Sequence, residues 1–245
     1  MISKLTLFIA AILFSVTSYG QEIVKTLKHF NRIVASPRIH VVLDKGDTES
    51  IRLVYHNVSA GKINFTVDGR TLRIYLDDAR KLERMKPKTT CCGGRKSDYE
   101  GVSVTAYVTY RELEMLEIRG NQELTCKGPI EAERFTLRAY GENEITLASL
   151  KSQYFKAKLY GENSLRIGKG RTIDQKYVLY GENTIDAQDV RSDYVVTSIF
   201  GEGSLKINSS EEVLINAFGE PQIYVDGGAQ INRRLVFGNP GIFEK

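Results

Sequence analysis

Apolar and polar residues alternate along most of this chain, and from about residue 113 onward the alternation repeats with a nearly fixed period. The repeat is marked by a short phrase in which an aromatic residue precedes Gly-Glu-Asn, as in Tyr160–Asn163. Its glycines are Gly120, Gly141, Gly161, Gly181, Gly201, Gly219 and Gly238, so successive repeats are 18 to 21 residues long. A period of this size is typical of solenoid proteins, in which each repeat packs only against its neighbours.

The alternation around each glycine predicts two strands per repeat, each with an apolar side turned inward. The inward positions of one repeat are Phe155, Ala157, Leu159, Leu165 and Ile167. A third inward position, in the looser return segment, is assigned to Leu150, Ile173 and Val190. Stacking such repeats in parallel predicts an all-β fold, a parallel β-helix whose rungs of about 20 residues lie about 4.8 Å apart.

The first part of the chain also alternates like strands, but without the repeat. Strands are predicted between Phe30 and Asp77, with hairpin turns at Asp44–Asp47 and Asp68-Gly69, and again at Val102–Val108. Residues 79–100 interrupt this pattern with a basic stretch that predicts a loop. We therefore divide the chain into a signal peptide (1–20), an N-terminal strand region that caps the stack (21–112) and the β-helix repeats (113–245). The last two form one domain.

The first twenty residues have the composition of a signal peptide. Lys4 is their only charged residue, and the apolar run Leu5–Phe14 is too short to span a bilayer. We predict export to the periplasm, the outer membrane surface or the medium, with no transmembrane span after cleavage. The formal net charge of +4 on 245 residues is close to balance, which argues against a nucleic-acid partner.

Cys91, Cys92 and Cys126 are an odd set for an exported protein. Because adjacent cysteines close only a strained ring, the sequence predicts free thiols or one disulfide that joins Cys126 to Cys91 or Cys92. The cysteines and the three histidines, which all precede residue 57, lack metal-ligand spacing. No metal or other cofactor is predicted.

Three columns of side chains beside the repeated glycines are candidates for ligand binding. Aromatic rings stand one residue before six of the seven glycines, glutamates one residue after five of them, and asparagines two residues after three of them. Such a surface suits sugars, because rings stack on sugar faces while polar groups take hydroxyls. The alternative is that the rings stack on one another. The predicted ligand-binding ridge is Tyr140, Glu142, Asn143, Tyr160, Glu162, Asn163, Tyr180, Glu182, Asn183, Phe200 and Glu202.

Simpler roles compete for the polar columns. The asparagines can close the turn and hydrogen-bond along their own stack. Stacked carboxylates repel one another, and we expect solvent and the outward cations Arg138, Lys158 and Lys206 to offset this repulsion. A calcium ion at Glu142, Glu162 and Glu182 is the alternative, although the Asp-rich phrases of calcium-binding β-rolls are absent.

Catalysis finds little support in the sequence. The position of the histidines does not indicate a Ser-His-Asp arrangement. The acidic residues are spread evenly by the repeat instead of being gathered into an acid and base pair. The nearest approach to an acidic cluster is Asp174, Asp186, Asp189 and Asp193. We therefore predict that the protein is not an enzyme.

Five segments resemble a family of exported bacterial proteins, the putative autotransporter adhesin "head GIN" domain. They are Phe30–Val34, Arg38–Asp47, Val67–Ile74, Val104–Thr109 and Leu113–Ile118. The resemblance covers nearly all of the mature chain, from about Phe30 to Ile242. It implies a right-handed parallel β-helix, related in shape to pectin lyases, that serves adhesion without catalysis. This chain departs from the family at the turn, where Gly-Glu-Asn replaces Gly-Ser-Gly or Gly-x-Gly, and the resemblance supplies no catalytic residues.

These observations together predict an exported, non-enzymatic, adhesin-like binding module. Its partner would be a glycan or a surface protein held on the repeat ridge, and association with further copies of itself stays open. Two alternatives are a polysaccharide-degrading enzyme on a pectin-lyase-like β-helix and a structural scaffold of the cell envelope.

Overall fold

A computed structural model describes residues 21–77 and 102–244. The predicted signal peptide (1–20) and basic loop (79–100) lie outside this part of the chain, as do Cys91 and Cys92. Within it the protein is all-β, with one curled sheet and a single 3-10 turn at Ala60–Lys62. The strands are β1 (Gln21–Thr26), β2 (Arg32–Ala35), β3 (Ile39–Lys45), β4 (Ser50–His56), β5 (Ile63–Asp68), β6 (Thr71–Leu76), β7 (Ser103–Tyr110), β8 (Met115–Ile167), β9 (Gly170–Gly219), β10 (Gln222–Asp226), β11 (Gln230–Gly238) and β12 (Gly241–Glu244).

The N-terminal strands mix antiparallel and parallel pairing. β5 and β6 form the hairpin predicted at Asp68-Gly69, with Val67 opposite Leu72. The hairpin predicted at Asp44–Asp47 is wrong, because β3 and β4 do not pair with each other. β7 lies between them, parallel to β3 and antiparallel to β4. β2 and β3 each pair in parallel with the start of β8, which joins this region to the repeats.

The repeats occupy β8 to β12, which pair in parallel with one another. β8 and β9 are long because strand pairing continues through the corners of each repeat. Tyr160 lies beside Tyr180, Gly161 beside Gly181 and Leu165 beside Ile185, so neighbouring repeats stay in register at an offset of 20 residues. Equivalent side chains therefore form columns across the sheet.

Apolar side chains fill the inside of the coil as the alternation predicted. Phe155, Ala157, Leu159, Leu165 and Ile167 are each no more than 2% exposed. The buried side chains of the N-terminal strands belong to the same continuous core, including Phe30 and Leu53. The two regions are thus one packed unit.

The return segment departs from the prediction at one position. Ile173 is 42% exposed, and Thr172 takes the inward position beside Ser152 of the preceding repeat. Thr172 is held there by polar contacts inside the coil. Its Oγ1 accepts a hydrogen bond from Gln175 Nε2 at 3.0 Å, and Gln175 Oε1 accepts one from the hydroxyl of Tyr177 at 2.8 Å. Burial of that hydroxyl raises the pKa of Tyr177.

Candidate ligand-binding ridge and the basic face beside it

Six aromatic rings, one from each of six successive repeats, stack on one another in a continuous column. We call this column, made of Tyr140, Tyr160, Tyr180, Phe200, Phe218 and Phe237, the aromatic ladder. Successive ring centroids lie 4.7 to 5.3 Å apart and successive planes are within 12° of parallel. This is the alternative that the sequence left open for the rings, and it follows from the register that sets equivalent residues side by side.

The stacking decides which part of each ring faces solvent. The rings of Tyr160, Tyr180, Phe200 and Phe218 each have a neighbour on both faces, so their edges are what remains available. Tyr180 is 39% exposed, whereas Phe237 at the end of the column is 61% exposed. Solvent therefore meets ring edges along most of the ladder. The outer face of Tyr140 lies under the guanidinium of Arg119, 5.6 Å from the ring centroid, and the outer face of Phe237 ends the column.

The three asparagines of the predicted ridge lie inside the coil. Asn143, Asn163 and Asn183 are between 2% and 4% exposed. Nδ2 of Asn143 donates to Oδ1 of Asn163 at 2.8 Å, and Nδ2 of Asn163 donates to Oδ1 of Asn183 at 3.0 Å. The column closes on the backbone carbonyl of Tyr180, which accepts from Asn183 Nδ2 at 3.1 Å. These residues therefore form an internal hydrogen-bonded stack, separate from the exposed rings and carboxylates.

The glycine between ring and glutamate makes the turn possible. Gly161 has φ +108°, a conformation that L side chains rarely adopt. A Cβ there would also lie 2.3 Å from the carbonyl oxygen of Gly141 in the preceding repeat. Glycine thus occupies the position that requires a positive φ, and the side chain of the asparagine two residues later is buried in the core.

The glutamates are exposed on the far side of this turn. Glu142, Glu162, Glu182, Glu202 and Glu220 all face solvent, and Oε2 of Glu142 accepts a hydrogen bond from Asn121 Nδ2 at 3.1 Å. Within residues 21–77 and 102–244, no group of three or more His, Cys, Asp or Glu side chains is placed to hold a metal ion.

Four cationic side chains lie close together on the strand segments that precede the rings of the aromatic ladder. We call Arg138, Lys156, Lys158 and Lys176 the basic face. Lys156 pairs with Lys176 across the strands, and burial together with the charges of Lys158, Lys176 and Arg138 lowers the pKa of Lys156. Arg138 lies 3.5 Å from Glu117. From the sequence, Arg138 and Lys158 were expected to offset the repulsion within the glutamate column. Their position beside Lys156 and Lys176 was not predicted, because it depends on which repeats become neighbours.

A groove of about 570 Å³ runs along the return segments on another side of the coil. It is lined by Glu131, Ala132, Glu133, Lys151, Ser152, Gln153, Arg171, Thr172 and Ile173. Arg171 pairs there with Asp193 at 3.4 Å. The groove contains no histidine or cysteine. It is an open channel of mixed charge.

Cys126 is fully buried beneath the N-terminal strands. Its Sγ lies 3.4 Å from the hydroxyl of Tyr110 and 3.4 Å from the carbonyl oxygen of Gly128. Burial raises the pKa of the Cys126 thiol to about 11. The predicted disulfide partners Cys91 and Cys92 are outside the described residues, so the pairing stays a prediction.

The described residues contain no helix long and apolar enough to cross a membrane.

The comparisons with known proteins bear on the whole fold. A family model described as putative auto-transporter adhesin, head GIN domain, matches residues 29–229. No curated protein matches the chain.

Several solved structures have a similar fold. A putative adhesin from Bacteroides fragilis NCTC 9343 has a TM-score of 0.70 at 16% identity, over 92% of this chain and 96% of that one. A putative adhesin from Parabacteroides merdae ATCC 43184 has a TM-score of 0.68 at 15% identity, over 94% and 97%. A putative lipid binding protein from Parabacteroides distasonis ATCC 8503 has a TM-score of 0.58 at 14% identity, over 94% and 98%. At these identities the likeness concerns the fold.

Proposed function

We propose that this chain, which belongs to the putative auto-transporter adhesin, head GIN domain family, is an exported, non-catalytic binding module of adhesin type. The observation that carries the proposal is the exposed ridge of the repeats. Ring edges recur there along the aromatic ladder, with glutamate carboxylates beside its first five rings and hydroxyls on its first three. A regular surface of this kind suits an extended partner, a glycan or a surface protein, better than a single small substrate.

We further infer that the coil is a right-handed parallel β-helix capped by the N-terminal strands. Parallel pairing of successive repeats at an offset of 20 residues supports this architecture. A rigid rod of stacked strands holds the exposed side chains at fixed positions, which lowers the entropy lost when an extended partner binds. Export fits the N-terminal segment of the sequence and the family.

The proposal is tested with the mature chain and a panel of immobilised neutral and anionic polysaccharides and envelope proteins. Binding is measured in parallel with cleavage of any polymer that binds. We expect binding without cleavage. Cleavage would replace the proposal with a polysaccharide-degrading enzyme, and failure to bind any member of the panel would replace it with an envelope scaffold.

Two variants locate the contact. The double substitution E162Q/E182Q removes two exposed carboxylates of the ridge without touching the core. E22Q/E211Q removes the same number of carboxylates at two exposed glutamates away from the ridge and is the matched control. If the ridge is the contact, E162Q/E182Q changes affinity at an unchanged melting temperature while E22Q/E211Q does not. Equal affinity of all three proteins would move the contact away from the glutamate side of the ridge.

A further inference from the structure

The three repeats whose ring is tyrosine are also the repeats that carry the basic face. Tyr140, Tyr160 and Tyr180 follow strands whose outward positions, two and four residues before the ring, hold Arg138, Lys156, Lys158 and Lys176. Phe200 and Phe218 follow strands whose outward positions hold Val196, Ser198, Leu214 and Asn216. Tyrosine hydroxyls and cations thus occur together in the first three repeats of the ladder, and the next two repeats have neither at the corresponding positions.

Strand geometry places the four cations in a compact patch. Lys156 and Lys176 are direct neighbours across paired strands. The stacking of Tyr140 on Tyr160 shows the same 20-residue offset one repeat earlier, which places Arg138 beside Lys158. Neighbouring strands lie about 4.8 Å apart, and residues two apart on one strand are separated by about 6.7 Å. Four positive side chains therefore rise from an area of about 10 by 7 Å, next to the tyrosine edges.

Little within the described residues neutralises this patch. Glu117, whose side chain is 7% exposed, contacts Arg138 at 3.5 Å and also pairs with Arg119. No ion pair joins Lys156, Lys158 or Lys176 to a carboxylate in residues 21–77 and 102–244. The depressed pKa of Lys156 reflects its partial burial and then the like charges around it. An anionic ligand would relieve this repulsion.

We propose that the basic face binds an anionic polysaccharide whose carboxylate or sulfate groups contact Lys156, Lys158 and Lys176 while its hydroxyls contact the tyrosine edges. This inference rests on the proposed binding function and names the class of ligand. An anionic polysaccharide carries hydroxyl and anionic groups at short, regular intervals along its chain. The patch offers tyrosine hydroxyls and cations at the spacing of neighbouring strands, so the two are complementary.

Other polyanions fit this surface less well. A nucleic acid or an anionic membrane presents negative charge over a wide area and is met by proteins with an extended basic surface. Here the net charge is only +4, and the exposed column of Glu142, Glu162 and Glu182 lies across the turn from the basic face. A narrow polysaccharide chain can follow the basic face without approaching the carboxylates.

The test uses the mature chain with two anionic probes, polygalacturonate and dextran sulfate, and neutral dextran as the reference polymer. The variant is K156Q/K158Q. The matched control is K169Q/K206Q, which removes the same charge from two exposed lysines outside the basic face. We expect at least one anionic probe to bind, with an affinity that falls as salt is added. K156Q/K158Q should weaken it roughly five- to thirtyfold and the control less than about twofold.

Three results would overturn the inference. They are failure of both anionic probes to bind, equal weakening by the two double variants, and selective binding of single-stranded DNA or phosphatidylglycerol vesicles in place of the polysaccharides. If a neutral glycan or an envelope protein still binds in those cases, the adhesin-type function stands without this ligand class. If polygalacturonate binds through the basic face and is cleaved, the ligand class stands and the non-catalytic function fails.

Discussion

The side-chain amide of Asn163 donates a hydrogen bond to Oδ1 of Asn183 at 3.0 Å, across two repeats that are 20 residues apart in sequence. Asn163 also accepts from Asn143 at 2.8 Å, so it is bonded on both sides within the coil. A buried amide is costly unless it is paired, which makes this stack sensitive to the loss of its middle member. The asparagine stack therefore fixes the register of the repeats from the inside.

Replacement of the middle asparagine is expected to destabilise the protein more than replacement of the first. N163A leaves the amide of Asn143 without an acceptor and Oδ1 of Asn183 without a donor, at a cost of about 2 to 4 kcal/mol. N143A removes one of these hydrogen bonds and should cost about half as much. The free energy of unfolding in urea measures both. Equal losses of unfolding free energy in N163A and N143A would contradict this prediction, because they would show that the second hydrogen bond of Asn163 adds nothing to stability.

The aromatic ladder predicts a similar contrast between its middle and its end. Tyr160 has rings on both sides at 5.2 and 4.9 Å, whereas Phe237 has one neighbour, at 5.3 Å, and is 61% exposed. Y160A should cost about 2 to 4 kcal/mol and F237A less than about 1.5 kcal/mol. Y160F keeps the stack and should be nearly neutral in thermal unfolding. A mild Y160A variant would contradict the packing role of the ring.

Glycine substitution separates backbone strain from collision with the neighbouring repeat. Gly161 has φ +108° and no room for a Cβ, whereas Gly69 has φ +57° with nothing within 4 Å of its Cβ position. G69A should cost about 1 to 2 kcal/mol, the ordinary penalty of a left-handed L residue. G161A should cost more, since the repeats must also move apart. Circular dichroism melts of both variants test this, and similar melting temperatures would exclude the collision.

Acid should weaken the N-terminal strands through Glu49. Burial by itself raises the pKa of this carboxyl, but its hydrogen bond from His29 Nδ1 at 2.7 Å, a backbone hydrogen bond and the charges of Arg111 and His29 outweigh burial and lower the pKa below 4.5. A carboxyl with a lowered folded pKa stabilises the protein above its unfolded pKa, and this contribution is lost as the pH falls through the folded value.

The stability difference between wild type and E49Q should therefore shrink as the pH falls from about 5 toward 3. E144Q, at an exposed glutamate in the repeats, provides the control and should show no such trend. The measurement is the free energy of unfolding in urea at each pH. A difference that is independent of pH would remove the proposed role of the Glu49 pKa.

Most of the repeat region could be predicted because its signal is local and recurs. The alternation of apolar and polar residues predicts directly that Leu165 and Ile167 are buried, and the glycine marks the turn in each repeat. The same alternation includes Asn163, two residues after its glycine, although from the sequence the asparagines were placed in the ridge and their burial was not predicted. Their hydrogen-bonding along the stack was one of the roles considered from sequence.

The errors arose where partners are distant in sequence or chemically unlike the rest of the column. Nothing in the segment between β3 and β4 shows that β7, about fifty residues further on, inserts between them. Ile173 was assigned to the core on hydropathy, but it is 42% exposed. Gly170 lies beside Leu150, and the buried Thr172, which accepts a hydrogen bond from Gln175, lies beside Ser152. The basic face required knowledge of which lysines become neighbours after stacking.

The columns that run through the repeats also determine how the length of this protein can change. Removing a single residue within a strand would shift ring, carboxylate and amide to the wrong sides of the sheet. Duplicating a whole unit such as residues 161–180 would preserve every column and lengthen the rod by one strand spacing, about 4.8 Å. The ladder and the asparagine stack would each gain one member, so reach can be extended stepwise while the chemistry of the surface is kept.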